Sequence, residues 1–241
     1  VADFSPSDSP FARLLAQEAF RKPRYPLFEE GFQSVLAGLK DGGAVTFEGL
    51  ELEVPSGVYI PRPGSSTEFV VKNWWSAHLD APTGTLLELG TGTGALTLFA
   101  AKQGWVATGA DIDEAAVAAA RGNAERNGIE AQFHVSDMFD AFEGQRYDVV
   151  LFNQPYFHKS AVDDIAERPL ADANGSLTRR MLDAAANHLN PGGKLVFTYS
   201  NCSNEELLER ADWTFELAGC DYEARARYWR SLIVGRPVAR A

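Results

Sequence analysis

Two short stretches of this chain hold residue types that do chemistry. Leu86-Leu87-Glu88-Leu89-Gly90-Thr91-Gly92-Thr93-Gly94 runs from an apolar segment into three glycines within five residues. Glycine lets a backbone turn tightly and approach a ligand, and a helix opening behind the loop offers free N–H groups. Asp111 closes the next apolar run, about where an acceptor for ribose hydroxyls belongs. Gly90, Gly92 and Ala95 also satisfy the dinucleotide pattern G-x-G-x-x-G/A. Glu88, just before the loop, suits a cationic ligand better than a pyrophosphate. The second stretch is Asn153-Gln154-Pro155-Tyr156, directly after the apolar run Tyr147–Phe152. Ligands of an open parallel sheet bind beyond the carboxyl ends of its strands, so this segment is expected beside Gly90. Pro155 biases Gln154 towards an extended backbone.

The elements that must carry these residues are readable from periodicity. From residue 85 onward strand and helix alternate. Thr85–Leu89, Val106–Ala110, Gln132–Val135, Tyr147–Phe152 and Lys194–Tyr199 are expected strands. Leu96–Lys102, Glu114–Asn127 and Ser176–Leu189 are expected helices. Asp113 caps the long alanine-rich helix and Gly128 closes it; Asn190-Pro191-Gly192-Gly193 ends the last one. Such alternation implies a mostly parallel, doubly wound α/β sheet covered on both faces. Trp213–Ala218 and Trp229–Val234 add an antiparallel edge. Ahead of this lie two expected amphipathic helices, Pro10–Phe20 and Phe28–Leu39. A β-hairpin follows, Val45–Phe47 and Leu50–Val54, turning at Glu48-Gly49. We therefore expect a short helical and hairpin cap over residues 1–72 and a ligand-binding domain over 73–241.

Composition bounds the partners. Lys plus Arg number 22 and Asp plus Glu 33 in 241 residues, a net charge of −11. An acidic surface repels bare phosphate backbones, so no nucleic-acid partner is expected. The five arginines between 225 and 240 read as a solvated end. No apolar run approaches the ~18 residues of a membrane span, and the amino end lacks the features of a secretion signal. A cytoplasmic setting is expected, with no membrane partner. Cys202 and Cys220 have no metal spacing, and His78, His134, His158 and His188 are scattered, so no metal site is expected. Ser200-Asn201-Cys202-Ser203 reads as a helix cap, Asp163-Asp164 as solvated loop and Trp74-Trp75 as core or an edge covering the sheet.

Beyond these readings, the chain carries a resemblance. Glu88-Leu89-Gly90-Thr91-Gly92-Thr93-Gly94, then Asp111-Ile112-Asp113, then Ser136-Asp137-Met138-Phe139, resembles class I S-adenosylmethionine-dependent methyltransferases. The resemblance implies that the glycine loop cradles the methionine part of that cofactor, that Asp111 holds the ribose hydroxyls and that Asp137 faces the adenine amine. Asn153-Gln154-Pro155-Tyr156 is similar to the Asn-Pro-Pro-Tyr signature of methyltransferases acting on planar nitrogen, an amide or an adenine amine. There the Asn side-chain oxygen and the next carbonyl accept the two substrate N–H groups, and the aromatic ring stacks. Mapped here, Asn153 and the Gln154 carbonyl are the acceptors and Tyr156 the platform. Gln154 stands where that signature has proline, and adds a side-chain amide that could enter the pocket. Val45–Val54, Val58-Tyr59-Ile60-Pro61-Arg62-Pro63 and Thr67-Glu68 resemble the cofactor-covering segment of release-factor glutamine N5-methyltransferases. The first 44 residues are too short for that family's helical recognition domain.

The resemblance thus implies S-adenosylmethionine as cofactor. It would be held by Arg62, Thr67, Glu88, Gly90, Thr91, Gly92, Gly94, Asp111, Ile112, Asp137, Met138 and Asn153, with Asn153, Gln154, Pro155 and Tyr156 at the reacting end. The expected chemistry is N-methylation of an amide or amine, on a small molecule or a protein side chain. Positioning alone contributes roughly 7–11 kcal/mol to such a displacement. Two alternatives stand beside it. One uses the cofactor's aminocarboxypropyl group, including cyclisation to azetidine-2-carboxylate with release of methylthioadenosine. The other is a non-catalytic subunit that binds the cofactor. The oligomeric state is open.

Overall fold

Largely buried strands form the centre of a seven-stranded sheet in the computed structural model of the protein. The structure describes residues 33, 36, 37, 39, 42–80, 84–159, 169–203, 205–223 and 228–238. The expected helix Pro10–Phe20, most of Phe28–Leu39 and the Asp163-Asp164 loop lie outside the described residues.

The hairpin comes first: β1 (Gly43–Phe47) and β2 (Leu50–Val54) pair antiparallel, with Phe47 opposite Leu50. Glu48 and Gly49 both have positive φ, 51° and 72°, the requirement of a two-residue turn that matches strand twist. Helix α1 (Ser66–Lys72), unforeseen from periodicity, follows and is capped by the Ser65 hydroxyl. Then come β3 (Thr85–Leu89), α2 (Ala95–Lys102), β4 (Val106–Asp111), α3 (Glu114–Asn127), β5 (Gln132–Val135) and β6 (Tyr147–Phe152). Two short parallel strands, β7 (Phe157–Lys159) and β8 (Ala171–Ala173), precede α4 (Ser176–Ala184). The chain closes with β9 (Leu189–Ser200), β10 (Trp213–Glu223) and β11 (Tyr228–Pro237).

The large sheet runs β10-β11-β9-β6-β3-β4-β5. The five strands from β9 to β5 pair parallel; β11 joins β9 antiparallel and β10 joins β11 antiparallel. Successive side chains point to opposite faces, so each strand feeds two cores. Leu87, Leu89, Val150, Phe152, Leu195 and Phe197 pack with Met181 and Leu182 of α4. Leu86, Val149, Leu151 and Val196 pack with Phe69 and Val70 of α1 and Leu96 of α2. Asp113 caps α3 through the Ala115 N–H at 2.8 Å, and Gly128 closes it with φ 61°. These features match the expected class I arrangement.

The end of α4 and the arginine-rich end differ from expectation, and β9 and β10 run longer than expected, from Leu189 and to Glu223. Helix α4 stops at Ala184 and a single 3₁₀ turn, Ala185–His188, follows. Leu189 is drawn into pairing with Tyr147, and that sheet contact competes with a last helical turn. The arginine-rich end is not a solvated tail throughout. Arg230 is buried, bonded to both Asp221 oxygens (2.6 and 3.0 Å) and to the Gly64 carbonyl (2.8 Å), above the Phe69 ring. Burial opposes its charge, and the Asp221 carboxylate outweighs that effect, holding the guanidinium protonated.

The order of strands makes a crevice. The chain leaves β3 towards β4 and β5, then jumps back across β3 to β6. Loops after β3 and β6 therefore diverge at their carboxyl ends, where an open sheet binds ligands. The hairpin is fixed against that crevice by α3. Asn127 and Asn123, one turn apart, each pair through side-chain amides with a β2 backbone, at Glu51 (2.9 and 2.9 Å) and Glu53 (2.8 and 3.0 Å). Asn123 also donates to the Thr93 carbonyl at 3.0 Å, tying the hairpin to the glycine loop.

Candidate active site

A cavity of about 1150 Å³ opens at the crevice, more than the ~300–1,000 Å³ that encloses one small ligand. Its walls carry Arg62, Thr67, Glu88, Gly90, Thr91, Gly92, Asp111, Ile112, Asp137, Met138 and Asn153–Tyr156. These come from five separate segments, and the fold brings them together. Gly94 stands behind the wall: a Cβ there would lie 3.0 Å from Ala120 and 3.1 Å from the Phe133 ring. Its role is close packing of α2.

At one end lies the glycine loop. Gly90 and Gly92 have φ of 61° and 52°, a region that side-chain-bearing residues rarely adopt. Asp111 fixes the loop from the next strand, accepting the Gly92 N–H at 2.8 Å and the Asp113 N–H at 3.0 Å. Burial pushes its carboxyl above the usual range despite those bonds. Glu88 is only 2% exposed. One of its oxygens accepts from the Thr91 hydroxyl (2.8 Å), the Thr97 N–H (2.9 Å) and the Thr97 hydroxyl (2.5 Å). Burial nevertheless pushes its pKa up to about 7. Ile112 presents an apolar side chain, 59% exposed. Asp137 is paired with Arg180 of α4 at 3.0 Å, and Met138 turns the chain there with φ 54°.

At the other end lies the loop after β6. Asn153 is held on both sides, its Nδ2 3.4 Å from Thr67 Oγ1 and its Oδ1 3.3 Å from Thr198 Oγ1. Thr198 Oγ1 is also 3.4 Å from the Gln154 carbonyl oxygen. The Gln154 side chain is buried and engaged at both ends. Its Nε2 donates to the Thr198 carbonyl at 2.9 Å and its Oε1 accepts from Thr178 at 3.1 Å. Tyr156 is 6% exposed and its hydroxyl is 2.7 Å from that of Tyr228. It forms a fixed wall within an aromatic group with Phe157 and Tyr228, and burial pushes its hydroxyl far up. Leu36 and Leu39 of the amino-terminal region pack on the same group. Arg62 stands exposed at the mouth, its N–H on Ser65 Oγ at 3.2 Å.

Several residues of this site escape sequence reasoning. Ser200 and Ser203, expected to cap a helix, both donate to the Tyr156 carbonyl, at 3.1 and 2.9 Å. The signal was available: Thr198 and Ser200 are hydroxyls at the end of a strand that is otherwise apolar. Likewise Arg230 sits inside an apolar run, Tyr228–Val234. Among the other expectations, Trp74 is core as expected while Trp75 is exposed. His188 stacks on Phe139 at 4.4 Å; the side chain of His158 is outside the described residues. Among the described residues no three His, Cys, Asp or Glu side chains are placed to hold a metal ion. No described helix is long and apolar enough to cross a membrane.

The cavity fits a nucleoside-bearing cation. It offers a glycine-rich loop, a buried carboxyl, a strand-end aspartate and an uncovered isoleucine. Fold and site define an S-adenosylmethionine-dependent methyltransferase. The chain belongs to the methyltransferase small domain family, whose model matches residues 65–216. It is 30% identical over 201 residues to a release factor glutamine methyltransferase of Streptococcus pneumoniae, covering 77% of this chain and 70% of that one. A release factor glutamine methyltransferase of Haemophilus influenzae is 27% identical over 219 residues, 78% and 74% of the two chains. Among solved structures, a 16S rRNA methyltransferase of T. thermophilus in complex with AdoMet and guanosine superposes with a TM-score of 0.63. It is 22% identical and covers 82% of this chain and 50% of that one. The protein is therefore an enzyme that uses S-adenosylmethionine.

Proposed function

We propose that the enzyme N-methylates a side-chain carboxamide, that of a glutamine in a protein. The observation that carries this reading is the convergence of two acceptor oxygens, Asn153 Oδ1 and the Gln154 carbonyl, of two residues that line the cavity, about the Thr198 hydroxyl behind them. A carboxamide nitrogen has two N–H groups and a lone pair withdrawn by resonance. Two acceptors hold both N–H groups, set the plane of the nitrogen and direct its lone pair. When bound, S-adenosylmethionine supplies an electrophilic methyl group. Glu88 and Asp111 would hold the cofactor, with Ile112 beside the adenine and Asp137 available to its amine. The pairing of Asp137 with Arg180 opposes the last contact, so Arg180 would have to yield. Tyr156 serves as a wall beside the acceptor; its buried ring leaves little open face for a nucleobase to stack. We take residues 1–72 as the cap and 73–241 as the catalytic domain, because Val58 and Arg62 of the former border the same cavity.

The names of the relatives support a protein glutamine acceptor, while the 16S rRNA enzyme makes RNA the competing acceptor. The acidic balance of the chain favours the protein. The aminocarboxypropyl alternative rests in part on Gln154 standing where the signature has proline, and both ends of that side chain are engaged by Thr198 and Thr178. The test is incubation with radiolabelled S-adenosylmethionine and either a release factor or ribosomal RNA. Label on glutamine and S-adenosylhomocysteine as by-product are expected. Label on RNA alone would overturn the acceptor assignment.

A further inference from the structure

We propose that Thr198 and the Gln154 side chain act as a positioning strut from β9 to α4 that sets where the two acceptor oxygens stand. This rests on the reading of Asn153 and the Gln154 carbonyl as the clamp on the acceptor nitrogen. Thr198 is fully buried, and its hydroxyl reaches Asn153 Oδ1 at 3.3 Å and the Gln154 carbonyl at 3.4 Å. A hydroxyl has one proton and each carbonyl oxygen two lone pairs. Thr198 can therefore donate to one acceptor at a time while both keep a lone pair for substrate. It gives the two oxygens a common centre.

The peptide that carries the second acceptor is anchored through its own side chain. Gln154 Nε2 donates to the Thr198 carbonyl at 2.9 Å, and its Oε1 meets the Thr178 hydroxyl at 3.1 Å. That hydroxyl has one proton and also lies 2.8 Å from Asp172 Oδ2, so it donates to the amide oxygen or to the carboxylate, one at a time. Asp172 in turn accepts the Leu177 and Thr178 N–H groups, at 2.8 and 3.1 Å, at the start of α4. The amide thus joins sheet and helix. Two residues on, the Tyr156 carbonyl is held by Ser200 and Ser203. The end of β9 fixes the loop on both sides of Pro155. A proline at 154 would make neither side-chain bond; here hydrogen bonds supply the rigidity that a ring would give. Thr178 and Thr198 do not border the cavity, so they act through the loop and not on substrate.

Thr198→Val removes the hydroxyl and keeps the shape, and Thr198→Ser returns it. With a release factor as acceptor, Thr198→Val is expected to lower kcat about ten- to a hundredfold, the scale of a small misplacement of reacting groups. Cofactor Kd and stoichiometry by calorimetry should stay within twofold, and Thr198→Ser should recover most of the rate. A purely structural role would instead lower Tm and the number of cofactor sites with turnover per site unchanged. That result overturns the strut, as does a loss that serine does not recover. Isotope-labelled NMR gives a readout free of any acceptor. The Asn153 and Gln154 side-chain amide signals should shift or broaden in Thr198→Val, and unchanged signals overturn the proposal. Asn153→Ala separates the two levels: full activity there removes the clamp itself, whereas loss there with an intact Thr198→Val removes only the strut.

Discussion

Replacing Glu88 by glutamine isolates the electrostatic design of the cofactor end. Glu88 is 2% exposed and its pKa is raised from 4.5 to about 7 by burial, against three hydrogen bonds that favour the charged form. Its proton is held more tightly in the fold than in the unfolded chain. Its contribution to apo stability is therefore fully present below pH 4.5 and lost as pH rises through 7. The difference amounts to about 3 kcal/mol between pH 4 and pH 8. For a chain of this size that corresponds to roughly 6–12 °C in Tm. Glu88→Gln should flatten this component, so the Tm gap between variant and parent should widen in the variant's favour from pH 5 to pH 8. Cofactor binding reverses the picture, because a cation beside the carboxyl favours its ionised form. Binding of S-adenosylmethionine to the parent should release close to one proton per site at pH 6 and almost none at pH 8.5. Calorimetry in two buffers of different ionisation enthalpy reads this directly. The variant should release none and bind more weakly above pH 7. Equal proton release by parent and variant would refute the assignment of Glu88 to a cationic ligand.

Three further outcomes follow from named contacts. Asn153→Ala should cut turnover about 10²–10³-fold, the usual cost of losing an orienting group, far more than it weakens calorimetric cofactor affinity. Asp111→Ala should weaken cofactor binding by ~1.5–3 kcal/mol for each charge-assisted bond lost, and should also loosen the Gly92 turn; an unchanged Kd would remove Asp111 from the cofactor site. Arg230→Met should lower thermal stability by roughly 1–3 kcal/mol, because the Gly64 carbonyl and the Phe69 ring lose their partner. Cofactor affinity should fall with it, since Arg62, Pro63 and Gly64 border the cavity; unaltered stability would show that the ion pair contributes nothing.

The glycine-loop half of the cavity was legible because its signals are local. Three glycines, a preceding acid and a strand-end Asp111 are read within a few residues, and alternation of strands and helices fixes where they meet. The acceptor half was legible only at Asn153–Tyr156. What holds that loop comes from α1, α4, β9 with the turn after it, and β11, 24 to 86 residues away in sequence, and no periodicity links Gln154 to Thr178 or Thr198. The side chain of Gln154 was the misleading residue. A polar side chain next to a site suggests contact with ligand, yet a buried amide is satisfied by whichever donors surround it. Arg230 was masked in the same way, since charge counts over a tail carry no information on which arginine is buried. Helix α1 has too few turns for a hydrophobic period to show, and α4 yielded its last turn to sheet pairing that only the fold reveals.

Product analysis bears most directly on the central claim. The purified enzyme is incubated with S-adenosylmethionine and a release factor, and both the by-product and the acceptor are examined by mass spectrometry. The account predicts S-adenosylhomocysteine and a single added methyl on a glutamine side chain, both abolished in Asn153→Ala. Methylthioadenosine as the by-product, or an unmodified release factor beside methylated ribosomal RNA, would contradict it.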